Sequence, residues 1–318
     1  MLQRSGIFSN DMDIRIEDLT KRYGPQKAVD GISFTVRAGE VLGFLGPNGA
    51  GKSTTMKLIC GLTAPNAGKI TVGGHDVATE PEVVRRMIGY LPESNPLYED
   101  MPVLDLLRFA AKLQAVPADR IDERLRTMVE ACGLDREKHK RVSELSKGYR
   151  QRVGLAQAMV HDPEVLILDE PTTGLDPNQI VEIRELIKEL GQAKTVIFST
   201  HILPEVEATC DRILIIDKGR IVADGGPAEL RGKAQGRAML HVRVEEAVQL
   251  EVLNAFRAIE QIEEVTADGA NGYLLRVAPG VQLERSIFQL CVQRHWVLTG
   301  LHQVETRLED VFRELTLD

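Results

Sequence analysis

The chain has 318 residues, 43% of them hydrophobic, and carries a net charge of −8. That length exceeds one average domain and that apolar content can fill a sizeable core, so two domains are expected. The acidic balance excludes nucleic-acid binding through a broad positive surface, and four scattered cysteines (Cys60, Cys132, Cys210, Cys291) without a C-x-x-C pair argue for a reducing cytosol rather than a zinc or redox site.

Residues 1–11 fit neither strand nor helix and read as a loose extension, with Met12 an alternative start. Their sequence lacks the apolar core of a signal peptide. No later run reaches the roughly 18 apolar residues of a membrane span, so a soluble chain is expected, with a membrane partner left open. From Met12, "DIRIEDLTKRY" and "AVDGISFTVRAGE" read as strands of a small antiparallel unit, joined by a turn at Gly24-Pro25. "EVLGFLG" is a short apolar strand ending in glycine, and "KSTTMKLICGL" has helical spacing with Gly61 as its stop. The stretch from Leu97 to Val160 is mostly helical and ends in "LSKGYRQRVGLAQAM". Buried-strand patterns return in "VLILDE" and "TVIFSTH", separated by the helix "PNQIVEIRELIKELG". This alternation predicts a mainly parallel sheet with helices on its faces. "RILIIDKGRIVADGG" reads as a hairpin around Lys218-Gly219, which closes the first domain. The predicted boundaries are 12–224 for the first domain, 225–236 for a linker and 237–318 for an accessory α+β domain. The order βαββαβ in that last part suggests a small ferredoxin-like sandwich.

Chemistry concentrates in the first domain. "GPNGAGKST" fills the spacing G-x-x-x-x-G-K-S/T between a strand and a helix. Its residues Gly46, Pro47, Asn48, Gly49, Ala50, Gly51, Lys52, Ser53 and Thr54 form a loop whose backbone N–H groups can wrap a phosphate chain. Lys52 would reach the β and γ phosphates and the Ser53 hydroxyl would ligate Mg²⁺. "VLILDE" ends in Asp169 and Glu170. At the carboxyl edge of the sheet Asp169 would hold Mg²⁺ through water, and Glu170 would polarise the attacking water. Two acids after a strand are otherwise an ordinary solvated loop; the upstream phosphate loop is what gives them meaning. Ser146 and Gly148 occupy the first turn of a helix, a position that suits an anion but also suits simple N-capping.

Phosphate loop, "LSKGYRQR", "LILDEP", "GLDP" and "STH" occur in the order and spacing of ATP-binding-cassette (ABC) ATPases, a resemblance covering residues 13 to about 224. "IGYLPESNPLY", "EVLILDEPTTGLDPNQIVEIRELI" and the ending "LEDVFRELT" further resemble the ATPase subunits of ABC-2-type exporters, most of all the gliding-motility-associated branch. The resemblance implies an α/β fold: a P-loop cassette with a mixed sheet core, an antiparallel β subdomain and a helical subdomain. It also implies two copies packed head to tail, with Ser146 and Gly148 of one copy capping the γ-phosphate of ATP held by the other. Lys147 and Tyr149 stand where that family's common form has glycine and glutamine. Tyr23 matches the aromatic that stacks on adenine, Asp176 the residue linking the two nucleotide sites, and His201 the histidine at the γ-phosphate. Each has a plainer alternative: packing for Tyr23, helix capping before Pro177 for Asp176, a structural strand-end histidine for His201. Glu93 stands where most cassettes carry a glutamine that touches Mg²⁺ and the attacking water. A glutamate keeps the oxygen ligand and adds negative charge, which makes activity more dependent on Mg²⁺.

The function implied is ATP binding and hydrolysis by the cytoplasmic subunit of an exporter, attached at the inner face of the membrane through separate ABC-2-type permease subunits. Residues from Glu93 to Phe109 would receive a short helix of that permease, although their apolar side chains suit an internal core equally well. The alternative is a soluble regulatory ABC-type ATPase uncoupled from transport. No heptad arms, zinc cysteines or basic face point to DNA maintenance. Neither reading identifies a cargo, because the translocation path would lie in another chain.

Overall fold

The computed structural model describes residues 12–234, 238–277, 283–304 and 308–316. The extension expected over 1–11 lies outside them. The chain divides into two compact units, residues 1–227 and 228–318.

In the first unit the alternating pattern of the N-terminal segments builds an antiparallel sheet. It contains β1 (Ile14–Tyr23), β2 (Gln26–Val36), β4 (Ala67–Val72) and the short β5 (His75–Asp76), in the order β2-β1-β4-β5. The apolar runs β3 (Val41–Leu45), β7 (Val165–Asp169) and β8 (Thr195–Thr200) are buried at every position. Strands covered on both faces read as continuous apolar runs, and these form the centre of a second sheet. With β6 (Ile88–Leu91), β9 (Arg212–Asp217) and β10 (Arg220–Gly225) its order is β10-β9-β3-β8-β7-β6. All its pairings are parallel except that of the edge strand β10 with β9. That hairpin turns at Lys218 (φ 47°) and Gly219 (φ 80°), the pair of left-handed residues a two-residue turn requires. The core of the unit takes Ile14, Ile16, Val29 and Phe34 from the antiparallel sheet and Leu42, Phe44, Ile167 and Leu214 from the other. The helices of this unit are α1 (Lys52–Ile59), α2 (Pro81–Met87), α3 (Val103–Leu113), α4 (Ile121–Ala131), α5 (Lys147–Met159), α6 (Pro177–Gly191) and α7 (Leu203–Thr209). A 3-10 turn at Val142–Glu144 precedes α5.

The segment expected as a linker, 225–236, instead carries helix α8 (Pro227–Ala234) over most of its length. Gly225-Gly226 punctuates the text there, yet the following residues are good helix formers, with Pro227 at the start and Glu229 in the first turn.

The second unit contains β11 (Ala238–Glu245), α9 (Gln249–Arg257), β12 (Ile262–Asp268), β13 (Gly272–Val277), α10 (Glu284–Arg294), β14 (Val297–Val304) and α11 (Leu308–Thr316). Its antiparallel sheet has the order β12-β13-β11-β14. This is the ferredoxin-like arrangement, in which two βαβ halves interleave their strands. Leu240, Val242, Tyr273 and Leu275 point from the sheet into one core with Val252 and Phe256 of α9 and Ile287 of α10. Phe256 meets Tyr273 edge to face at 5.6 Å. Among the described residues no helix is long and apolar enough to cross a membrane.

Candidate active site at the phosphate loop

Strands β3, β7 and β8 run parallel side by side, so the segments that follow them emerge at one edge of the sheet. Gly46 follows β3, and a Cβ there would lie 2.3 Å from the Ile216 carbonyl oxygen, so the backbone passes where no side chain fits. Gly51 has φ 113°, and a Cβ on it would meet the Ala28 carbonyl oxygen at 2.4 Å. Only glycine satisfies both demands, and α1 starts directly after it with its first N–H groups turned toward the loop.

Lys52, 5% exposed, folds back across the loop. Its Nζ donates to the carbonyl oxygens of Gly46 at 2.8 Å and Pro47 at 3.2 Å, and lies 3.5 Å from Glu170 Oε1. Glu170, also buried, sits at φ 50°, a left-handed conformation uncommon for a non-glycine residue and typical of functional turns. Its second oxygen, Oε2, accepts from Thr173 Oγ1 at 3.2 Å and stands 3.0 Å from His201 Nδ1. Facing a carboxylate, that ring nitrogen is the one that carries the proton.

Asp169 is 1% exposed. Its Oδ1 accepts from Ser53 Oγ at 3.0 Å and Ser199 Oγ at 2.7 Å. Ser199 Oγ in turn accepts from the Glu170 N–H at 3.0 Å, so one hydroxyl fixes both acids. Ser199 pairs with Asp169 in the β7–β8 register, which explains how it reaches them. Among the described residues no three His, Cys, Asp or Glu side chains converge as a metal cage. A hydroxyl beside one carboxylate fits Mg²⁺, which favours one or two protein oxygens supplemented by water and phosphate oxygens. Glu93, expected as a further ligand, is exposed on the loop after β6 and makes no hydrogen bond or ion pair among the described residues. Tyr23 is exposed at the end of β1, with Lys21 Nζ 5.2 Å from its ring centroid.

Ser146, Gly148 and Asp176 form a second group. Ser146 caps α5, its Oγ accepting from the Tyr149 N–H at 3.4 Å. Gly148 lies against the Gln179 carboxamide, which a Cβ would approach to 2.5 Å. Asp176 caps α6 reciprocally with Gln179: Oδ1 accepts from the Gln179 N–H at 3.0 Å, and the Asp176 N–H donates to Gln179 Oε1 at 3.4 Å. The plainer capping roles of Ser146 and Asp176 are therefore both realised. Among the described residues no hydrogen bond or ion pair joins this group to Lys52, Ser53 or Asp169. Asn95, two residues past Glu93, donates from Nδ2 to the Arg150 carbonyl oxygen at 2.9 Å and packs against Gly154, so α5 anchors the Glu93 loop.

The profile of the family described as "ABC transporter" matches residues 29–173. Linearmycin resistance ATP-binding protein LnrL of Bacillus subtilis (strain 168) is 33% identical over 305 residues, 95% of this chain and 98% of that protein. The chain is an ATP-binding subunit of the ABC transporter family, and an ATPase. This ABC ATPase is also 35% identical, over 95% of its length and 93% of the relative's, to Nod factor export ATP-binding protein I of Ralstonia nicotianae. A solved structure of the ATP-binding subunit of an ABC transporter superposes with a TM-score of 0.64 at 34% identity, covering 70% of this chain and 93% of the other. The ABC cassette fold and ATP as ligand follow from this membership.

Sequence reasoning missed Ser199, Thr173 and Gln179. Ser199 was legible in principle, because two neighbouring parallel strands ending in step place "STH" beside "LDE".

Proposed function

We propose that this ABC ATPase drives an ABC-2-type membrane exporter. The observation that carries this reading is that its likeness to proteins named for resistance and for Nod factor export runs through 95% of the chain, beyond the cassette into the C-terminal unit. The site supports hydrolysis by two head-to-tail copies. In each, the buried Glu170 accepts the proton of the attacking water while His201 and Thr173 hold its carboxylate in place. Lys52 lies between Glu170 and the loop carbonyls and neutralises charge at the β and γ phosphates. Ser53 and Asp169 would hold Mg²⁺, which when bound spreads the charge of the transferred phosphoryl group. Ser146 and Gly148 face the γ-phosphate of the partner copy, and Tyr23 supplies a ring for adenine. Glu93 would add an oxygen to that metal site and report from its loop to the permease.

The docking surface is a groove of about 490 Å³ lined by Pro96, Leu97, Tyr98, Phe109, Leu113 and Gln157. Tyr98 and Leu113 are 62% and 70% exposed, and Tyr98 meets Phe109 edge to face at 5.7 Å. An amphipathic helix fits such a groove by its apolar face, and the permease's cytoplasmic side would supply it. In this reading the chain sits in the cytoplasm at the inner face of the membrane, held there by the permease.

Affinity purification of the tagged chain from gently solubilised native membranes tests the reading. A multi-span membrane protein in stoichiometric amount is expected. Leu113→Asp, which leaves the core intact, is expected to reduce its recovery about tenfold, the effect of some 1.4 kcal/mol. Recovery of soluble proteins alone would instead favour a regulatory ATPase uncoupled from transport.

A further inference from the structure

Glu205, in α7, is 2% exposed, and its Oε2 accepts two hydroxyl hydrogens. Thr172 Oγ1 donates to it at 2.9 Å and Thr200 Oγ1 at 2.7 Å. Thr200 Oγ1 also accepts from the Ile202 N–H at 3.0 Å, so its oxygen is fixed from the other side and its own hydrogen is committed to Glu205. The other carboxyl oxygen of Glu205, Oε1, is buried without a partner, and among the described residues no cation pairs with this side chain. A buried carboxylate with an orphaned oxygen is costly, and an apolar side chain of similar volume would serve stability better. Something other than packing accounts for an acid at this position.

The two hydroxyls indicate what it holds. Thr172 lies two residues beyond Glu170, and Thr200 directly precedes His201. These are the two segments whose side chains meet at the 3.0 Å contact between His201 Nδ1 and Glu170 Oε2. Among the described residues, besides that contact and the Ser199 bonds to Asp169 and to the Glu170 N–H, Glu205 ties the turn after β7 to the turn after β8. We infer that Glu205 is a positioning residue for ATP hydrolysis: by gripping Thr172 and Thr200 with one oxygen, it sets the distance between Glu170 and His201. The inference rests on the reading of Glu170 as the base.

Steady-state ATPase kinetics on the full chain test it. Glu205→Leu removes the acceptor while conserving volume, and Thr172→Val replaces one donor by a methyl group. Each is expected to lower kcat between about 10- and 100-fold, the scale of misplacing a reacting group by about an ångström, with KM for ATP changed less than about twofold. Glu205→Gln keeps an acceptor oxygen and is expected to restore kcat to within about twofold of the natural chain. Unchanged kcat in Glu205→Leu and Thr172→Val would overturn the inference, as would a Glu205→Gln variant as slow as Glu205→Leu. If Glu205→Leu does not fold, Thr172→Val alone decides between these results. Glu170→Gln, measured alongside, separates the two ideas. Full turnover in that variant removes the base itself, whereas its inactivity beside normal Thr172→Val and Glu205→Leu removes only the role given to Glu205.

Discussion

Replacing Glu170 by glutamine is expected to slow ATP hydrolysis by about 10²–10⁴-fold, the usual contribution of a positioned general base. ATP affinity should stay within about twofold, because the substitution leaves the phosphate loop untouched and keeps an amide oxygen to accept from Thr173. What is lost is the ability to take a proton from water. Single-turnover hydrolysis and equilibrium ATP binding, measured on the same preparation, separate the two quantities. A variant that binds and hydrolyses ATP normally would remove Glu170 from the role of base, leaving its buried place between Lys52 and His201 as structure alone.

Lys52→Met is expected to have the second largest effect, and on two properties. The ammonium donates to Gly46 and Pro47 and neutralises a Glu170 carboxylate that is itself buried. Without it, ATP affinity should fall about 10- to 100-fold, since a hydrogen bond to a charged group is worth about 1.5–3 kcal/mol. Stability should fall as well, by about 2 kcal/mol. This is below the roughly 3–5 kcal/mol typical of breaking a buried ion pair, because Thr173 and His201 still serve the carboxylate. Urea unfolding reads the second effect. Adding Glu170→Gln to Lys52→Met should return most of the stability, by removing the stranded charge, without returning ATP affinity. Equal losses in the single and double variants would contradict this coupling.

Much of this site was legible because its spacing rules are strict. A loop that wraps phosphate needs glycine where the backbone meets Ile216 and Ala28, and the sequence has Gly46 and Gly51 there. The apolar runs of β3, β7 and β8 signalled strands covered on both faces, and the acids ending β7 were legible beside them. In the second unit, alternating and helical periods gave the order βαββαβ directly. The stretch from β4 to β6 was harder: β4 is largely exposed over its first half, β5 has two residues and α2 seven, too few for a period to declare itself. Helix α8 hid behind a Gly-Gly-Pro sequence that reads as a boundary. The grip of Glu205 on Thr172, 33 residues earlier in the chain, depends on α7 folding back against β3 and β8, and no local pattern encodes that. Glu93 is the reverse case. Its position matched a motif, yet its side chain is exposed and makes no hydrogen bond or ion pair among the described residues, while Asn95 fastens its loop to α5.

Among the described residues no hydrogen bond or ion pair joins Ser146 and Gly148 to Lys52, Ser53 or Asp169 within one chain, an arrangement that a head-to-tail pair of copies would complete. The direct measurement is the solution mass of Glu170→Gln by sedimentation, with and without ATP·Mg²⁺. The proposed mechanism gives a single 35.2 kDa chain without nucleotide and about twice that mass with it, reversed by Ser146→Arg in the same variant. A one-chain mass at ATP concentrations that demonstrably saturate the site would contradict it.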